Sequence, residues 1–136
     1  MITSIENNGQ GAVIYQHTGA CQVKSSNLGV IKQWCIEHLF TYEGYAKAVK
    51  QTLGIAYRVP LYLREDLQLF PTRRIRDVDN VWINAAAIKT VTPTTHGACL
   101  VFHNGRRLEL DMSLHKVRRQ IDVLDTIRAV KGKHFH

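Results

Sequence analysis

The stretch Cys99-Leu-Val-Phe-His-Asn-Gly-Arg-Arg-Leu-Glu-Leu110 is two short runs of strand-forming residues joined through Asn104-Gly105. A two-residue type I′ turn needs positive φ at both central positions, which Asn-Gly tolerates best, so the pair predicts a β-hairpin. With the turn there, His103 faces Arg106, Val101 faces Leu108 and Cys99 faces Leu110, while Phe102 faces Arg107 and Leu100 faces Glu109. This register turns Val101, Cys99, Leu108 and Leu110 toward the core. It leaves Phe102 on a mixed surface face and sets Arg106 at a projecting tip.

Upstream of the hairpin lie further short β segments: Pro60-Leu-Tyr-Leu63, Leu67-Gln-Leu-Phe70, Val81-Trp-Ile-Asn84 and Ile88-Lys-Thr-Val-Thr92. Pro71 after Phe70 ends a strand, because proline has no amide hydrogen for the ladder. Nearer the start, Gly11–His17 is β-branched and aromatic and pairs as a hairpin with Cys21–Lys24. Two helical runs stand between these β regions. Ser26 and Asn27 cap one in which Val30, Ile31, Trp34, Cys35 and Leu39 recur at helical spacing. Thr41–Leu53 is the other, with Tyr45, Ala48, Val49 and Leu53 on one face and Gly54 as its stop. Gly44 in its first turn marks either close backbone packing or a late start. After the hairpin, Ser113 caps a last helix whose stripe is Leu114, Val117, Ile121 and Leu124, with His115, Arg119 and Asp122 opposite. The expected fold is α+β: a mostly antiparallel sheet of short strands with two N-terminal helices and a C-terminal helix packed on it. Residues 1–130 form one domain and 131–136 a flexible basic tail.

Of 136 residues, 45% are hydrophobic and 21% charged, which suits a globular chain able to bury a core without staples. Cys21, Cys35 and Cys99 have no close pairing and read as reduced thiols. Trp34 and Trp82 read as core, whereas Tyr42, Tyr45 and Tyr57 are ambiguous. No run is long and apolar enough for a membrane span, and residues 1–8 lack a signal-type leader, so the expected location is the cytoplasm with no membrane contact.

The charge is lopsided. Residues 1–69 carry 6 basic and 5 acidic side chains, but residues 70–136 carry 12 basic and 6 acidic. Such asymmetry suggests a working surface for a polyanion. Arg73, Arg74 and Arg76 form one cluster, Arg106 and Arg107 a second at the hairpin tip, and Lys116, Arg118 and Arg119 a third on the last helix. Guanidinium forks suit phosphate oxygens, and an arginine on a narrow tip can enter a minor groove. These eight are the candidate DNA-binding residues, with Arg106 reading and the helix residues bracing phosphates. The same charges also fit a solvated face partly neutralised by Asp77, Asp79, Asp111 and Asp122.

Enzyme signatures are missing: no Gly-x-Ser-x-Gly, no phosphate loop and no dinucleotide fingerprint occurs. The seven histidines are scattered, with only His134 and His136 close together, so neither a metal nor another cofactor is expected.

The series Val59-Pro-Leu-Tyr-Leu63, Leu69-Phe-Pro-Thr72, Val81-Trp-Ile-Asn84 and Ile88 resembles the central signature of the competence transcription factor ComK family of Gram-positive bacteria. Ser25-Ser26, Cys35 and Tyr42-Glu-Gly44 are similar to that family's N-terminal half, and Phe102, Asn104-Gly105, Ser113 and Gln120 to its closing hairpin and helix. Tyr45 stands where the family commonly has Arg, Asn80 where it often has Cys, and Arg73-Arg74 where it has small hydroxyl residues. The resemblance implies a non-enzymatic transcriptional regulator of competence-type genes that binds A·T-rich promoter DNA through the minor groove as a homo-oligomer, open to protein regulators. A protein-interaction adaptor that keeps the fold without binding DNA is the alternative.

Overall fold

The computed structural model describes residues 1–133, and their strands form two antiparallel sheets. The larger has the order β3-β2-β1-β6-β5-β4, built from β1 (Ile2–Asn8), β2 (Gly11–Gln16), β3 (Gly19–Val23), β4 (Leu61–Arg64), β5 (Leu67–Pro71) and β6 (Val81–Asn84). The smaller is β7 (Ile88–Pro93), β8 (Ala98–Phe102) and β9 (Arg107–Leu110) in sequence order. Helices α1 (Asn27–Glu37) and α2 (Tyr42–Leu53) lie between β3 and β4, and α3 (Leu114–Lys133) closes the fold against β4, β5 and β7. The architecture is the expected α+β, with the strands divided between two sheets where a 3₁₀ turn at Ala85–Ala87 redirects the chain.

β1 has no counterpart among the sequence-based strands, yet it joins β2 to β6 near the middle of the large sheet. Its apolar alternation is broken by Thr3 and Ser4, both fully buried. Polar side chains are stable there because each has a partner. Thr3 Oγ1 donates to the Tyr15 carbonyl at 3.2 Å, and both hydroxyls accept from Arg106.

The expected register of the β8–β9 hairpin is off by one residue. The pairs are Ala98 with Leu110, Cys99 with Glu109, Leu100 with Leu108 and Val101 with Arg107. The Phe102 amide donates to the Arg106 carbonyl, so the loop is His103-Asn104-Gly105, and only Gly105 has positive φ, at 88°. This is the three-residue hairpin that ends in a left-handed glycine rather than the two-residue turn. A one-residue slip exchanges the faces of a strand. Ala98, Leu100 and Phe102 are consequently fully buried, while Val101, expected in the core, is only half-buried. Burying an aromatic ring and a leucine outweighs the local preference of Asn-Gly.

Ser26 caps α1 by accepting from the Gly29 amide at 3.1 Å, and Asn27, Val30, Ile31 and Cys35 form the buried face. Leu39, expected on that face, is 95% exposed with φ of 69°, because the helix ends at Glu37 and the chain reverses there. Thr41 caps α2 through the Gly44 amide, and a Cβ on Gly44 would sit 2.9 Å from Thr41 Oγ1, so close packing explains the glycine. Gly54 ends α2 at φ of 74°; Ala48, placed by the sequence on its packed face, is exposed. Tyr42 and Tyr45 are buried and donate to the Val59 and Pro60 carbonyls at 2.9 and 2.8 Å. Trp82 is fully buried, edge-on to Tyr42, whereas Trp34 is half-buried.

Ser113 caps α3 at the Lys116 amide, and Val117, Leu124 and Ile127 are its buried residues. The helix continues past Val130. It runs through Lys133, and Lys131 Nζ lies 5.5 Å from the Phe40 ring centroid and 5.8 Å from those of Tyr45 and Tyr62. Three π-faces hold the ammonium, and its burial lowers the Lys131 pKa. The His134 and His136 pair lies outside the described residues.

Candidate nucleic-acid interface

Two of the three expected basic clusters converge, and the convergence is organised by a buried asparagine. Asn80 Oδ1 accepts from the Thr72 and Arg73 amides, both at 2.9 Å, and its own carbonyl accepts from Asn27 Nδ2 at 2.6 Å. These bonds pin both ends of the β5–β6 loop to α1. The loop then displays Arg74 and Arg76 as exposed side chains, with Val78 71% exposed at its tip. Arg73 crosses to Asp111, at the start of the β9–α3 turn. That ion pair sets the loop beside the first turns of α3, where Lys116, Arg118 and Arg119 are exposed.

Between the loop and α3 lies a segment the sequence did not single out as basic. Arg58 has φ of 48°, a left-handed conformation uncommon for a residue other than glycine. Tertiary bonds hold it: Gln120 Nε2 donates to its carbonyl at 2.9 Å, and its Nη1 donates to the Thr72 carbonyl at 3.4 Å. The preceding Tyr57 is 60% exposed, with the Arg58 guanidinium 5.2 Å from its ring centroid. Arg74 Nε donates to the Tyr57 hydroxyl at 3.3 Å, and this bond, followed by the nearby Arg58, lowers the phenol's pKa.

Two shallow clefts share Tyr57 and Arg58. One, of about 460 Å³, is lined by Tyr42, Ile75, Arg74 and Arg76; the other, of about 370 Å³, by Met112, Lys116, Arg119 and Gln120. Arg58, Arg74, Arg76, Lys116 and Arg119 thus surround one exposed aromatic ring. Such a surface can bond several phosphates while a flat ring meets a sugar or base. Of these five, Arg58 is the one the sequence did not mark, because a single arginine after a tyrosine carries little signal.

The hairpin cluster does not join this group. Arg106 does not project; it is half-buried and folded back on the large sheet. Its Nη1 donates to Thr3 Oγ1 at 3.1 Å and Ser4 Oγ at 2.7 Å, Nη2 lies 3.7 Å from Glu6 Oε2, and the guanidinium covers Tyr15 and Phe102. The register that buries Phe102 turns Arg106 the same way. Arg107 is exposed, but at the opposite end of β9 from Asp111, about 13 Å away at strand spacing.

The described residues thus form an α+β domain with a cationic surface around an exposed aromatic ring. The family model described as ComK protein matches residues 1–130, and the chain belongs to the ComK family. This is a family of transcription factors rather than enzymes, and membership places the chain among competence-related transcription factors. No curated protein and no solved structure matches the chain. Among the described residues, no helix is long and apolar enough to cross a membrane.

Proposed function

We propose that this chain regulates competence-type genes from the cytoplasm by binding A·T-rich promoter DNA as an oligomer. The observation that carries the reading is the meeting of Arg58, Arg74, Arg76, Lys116 and Arg119 around Tyr57 from three separate elements. Lys116, Arg118 and Arg119 brace phosphates from α3. Arg74 and Arg76, on the exposed loop with Val78 at its tip, take the groove-reading role that the sequence assigned to Arg106. An arginine beside an apolar wedge is a combination that suits a narrow minor groove. Arg73 contributes at the margin, since Asp111 already shares its charge, and Arg107 adds only to the long-range field.

Titration of A·T-rich and G·C-rich duplexes at matched salt tests this reading. The wild type should prefer the A·T-rich duplex, and the Arg74→Ala, Arg76→Ala double variant should lose that preference. An undiminished preference in the double variant would remove the loop as reader, and absence of binding to either duplex would remove the DNA reading altogether. A protein-interaction module remains the second reading, favoured by an apolar groove of about 410 Å³ between α2 and α3 lined by Phe40, Ala48, Leu53, Ile127 and Val130.

A further inference from the structure

The four sheet edges of the described chain are not alike. β4 carries Arg64 and is packed by α3. β7 carries Lys89 and ends in Pro93, and β9 alternates Arg107 and Glu109 with its leucines. Charges, proline and cover are the ordinary protections of a strand edge against pairing with another chain. β3 has none of them. Gly19-Ala20-Cys21-Gln22-Val23 is uncharged, its first four residues are exposed, and it terminates the large sheet.

The direction of its free hydrogen-bonding groups can be read from its other side. A Cβ on Gly11 would come within 2.2 Å of the Val23 carbonyl oxygen, so that carbonyl points toward β2. Backbone groups alternate along a strand, so Gly19, Cys21 and Val23 bond toward β2 while the amides and carbonyls of Ala20 and Gln22 face outward. We propose that β3 pairs antiparallel with β3 of a second copy of this chain, about a two-fold axis through Cys21. Ala20 of each copy then exchanges two hydrogen bonds with Gln22 of the other, which uses every outward group of the strand. Cys21 meets its own symmetry mate as a non-hydrogen-bonded pair, and Val23 meets Gly19.

Three features favour a second copy over a different chain. The pattern is self-complementary about its central residue, as an isologous contact requires. Gly19 has open space where a Cβ would stand, which leaves room for the opposing Val23. Cys21 and Val23 lie beside Ile14 and Ala12 in the β2–β3 register, so pairing also continues the apolar side of the sheet across the axis.

The pairing stands apart from DNA binding, and sedimentation of the full chain without DNA tests it. Wild type should form a dimer, and mild oxidation should trap it through a disulfide, because directly opposed non-hydrogen-bonded residues have Cα atoms about 4.5 Å apart, within disulfide range. Ala20→Pro removes only an outward amide and should give a monomer. Cys21→Lys and Cys21→Glu should each be monomeric alone and should pair when mixed, since position 21 meets itself only in this register. A wild type that stays monomeric at the highest attainable concentration overturns the proposal. So does a dimer that survives Ala20→Pro, or a failure of the two Cys21 variants to pair.

Discussion

The Arg106 guanidinium lies 4.0 Å from the centroid of the Tyr15 ring, and this contact ties the small sheet to the large one. The same side chain supplies both buried hydroxyls of β1 with a donor. Its role follows from this placement: it is a clamp between sheets.

Arg106→Ala should therefore lower stability by about 2–4 kcal/mol, since charge-assisted hydrogen bonds and a partly desolvated cation–π contact are lost together. Arg106→Lys should recover only part, because one ammonium cannot cover a ring and reach two hydroxyls with a planar fork. Urea unfolding measures the loss. The folded Arg106→Ala protein should keep its preference between duplexes, so a loss of preference without a loss of stability would restore Arg106 as a reader.

Salt dependence separates the two cationic regions. Log affinity for duplex DNA should fall with log salt at a slope steeper than about −3, and Arg119→Ala should make it shallower by about 0.9, one phosphate contact. Arg107→Ala should leave it nearly unchanged, because Arg107 stands at the far end of β9. Equal effects of the two variants would contradict a surface centred on Tyr57.

The hairpin loop makes a backbone prediction. Gly105 has φ of 88°, and a Cβ added there would meet nothing within 4 Å, so a side chain at this position encounters only conformational strain. Gly105→Ala should cost about 1 kcal/mol, and Gly105→Asn less, because asparagine tolerates the left-handed region. Chemical denaturation of the two variants gives the order, and Ala at or above Asn in stability would count against the three-residue loop.

Alkaline pH should destabilise the chain in a definite window. Burial pushes the Cys35 thiol up from 9.0 to about 11. The unfolded thiol then loses its proton first, so between about pH 9 and 11 the folded state binds more protons. Stability should fall as pH rises through that window, by up to about 1.4 kcal/mol per pH unit for this group. Tyr42 and Tyr45, also raised by burial, extend the fall to higher pH. Cys35→Ala should flatten the lower part of the curve. In the folded monomer at pH 8, a thiol reagent should label exposed Cys21 well before buried Cys35 and Cys99.

Local chemistry was enough for most elements. Ser26 and Ser113 cap where side-chain oxygens meet free amides, Gly54 stops α2, and the strands from Leu61 to Leu110 follow from β-branched and aromatic runs between turns. These choices depend on a few neighbouring residues, which a sequence displays directly. The features that tertiary structure decided depend on residues far apart in the chain. β1 is an inner strand because Arg106, about a hundred positions away, satisfies Thr3 and Ser4. The β8–β9 register follows the burial of Leu100 and Phe102 over the local Asn-Gly preference, and it moves Arg106 from tip to clamp. Likewise, Arg58 becomes part of the cationic surface only because Thr72 and Gln120 hold its left-handed backbone between the β5–β6 loop and α3. A sequence shows charge and propensity residue by residue; which charges share one surface is set by packing, because burial free energy is gained by the whole core and not by any single turn.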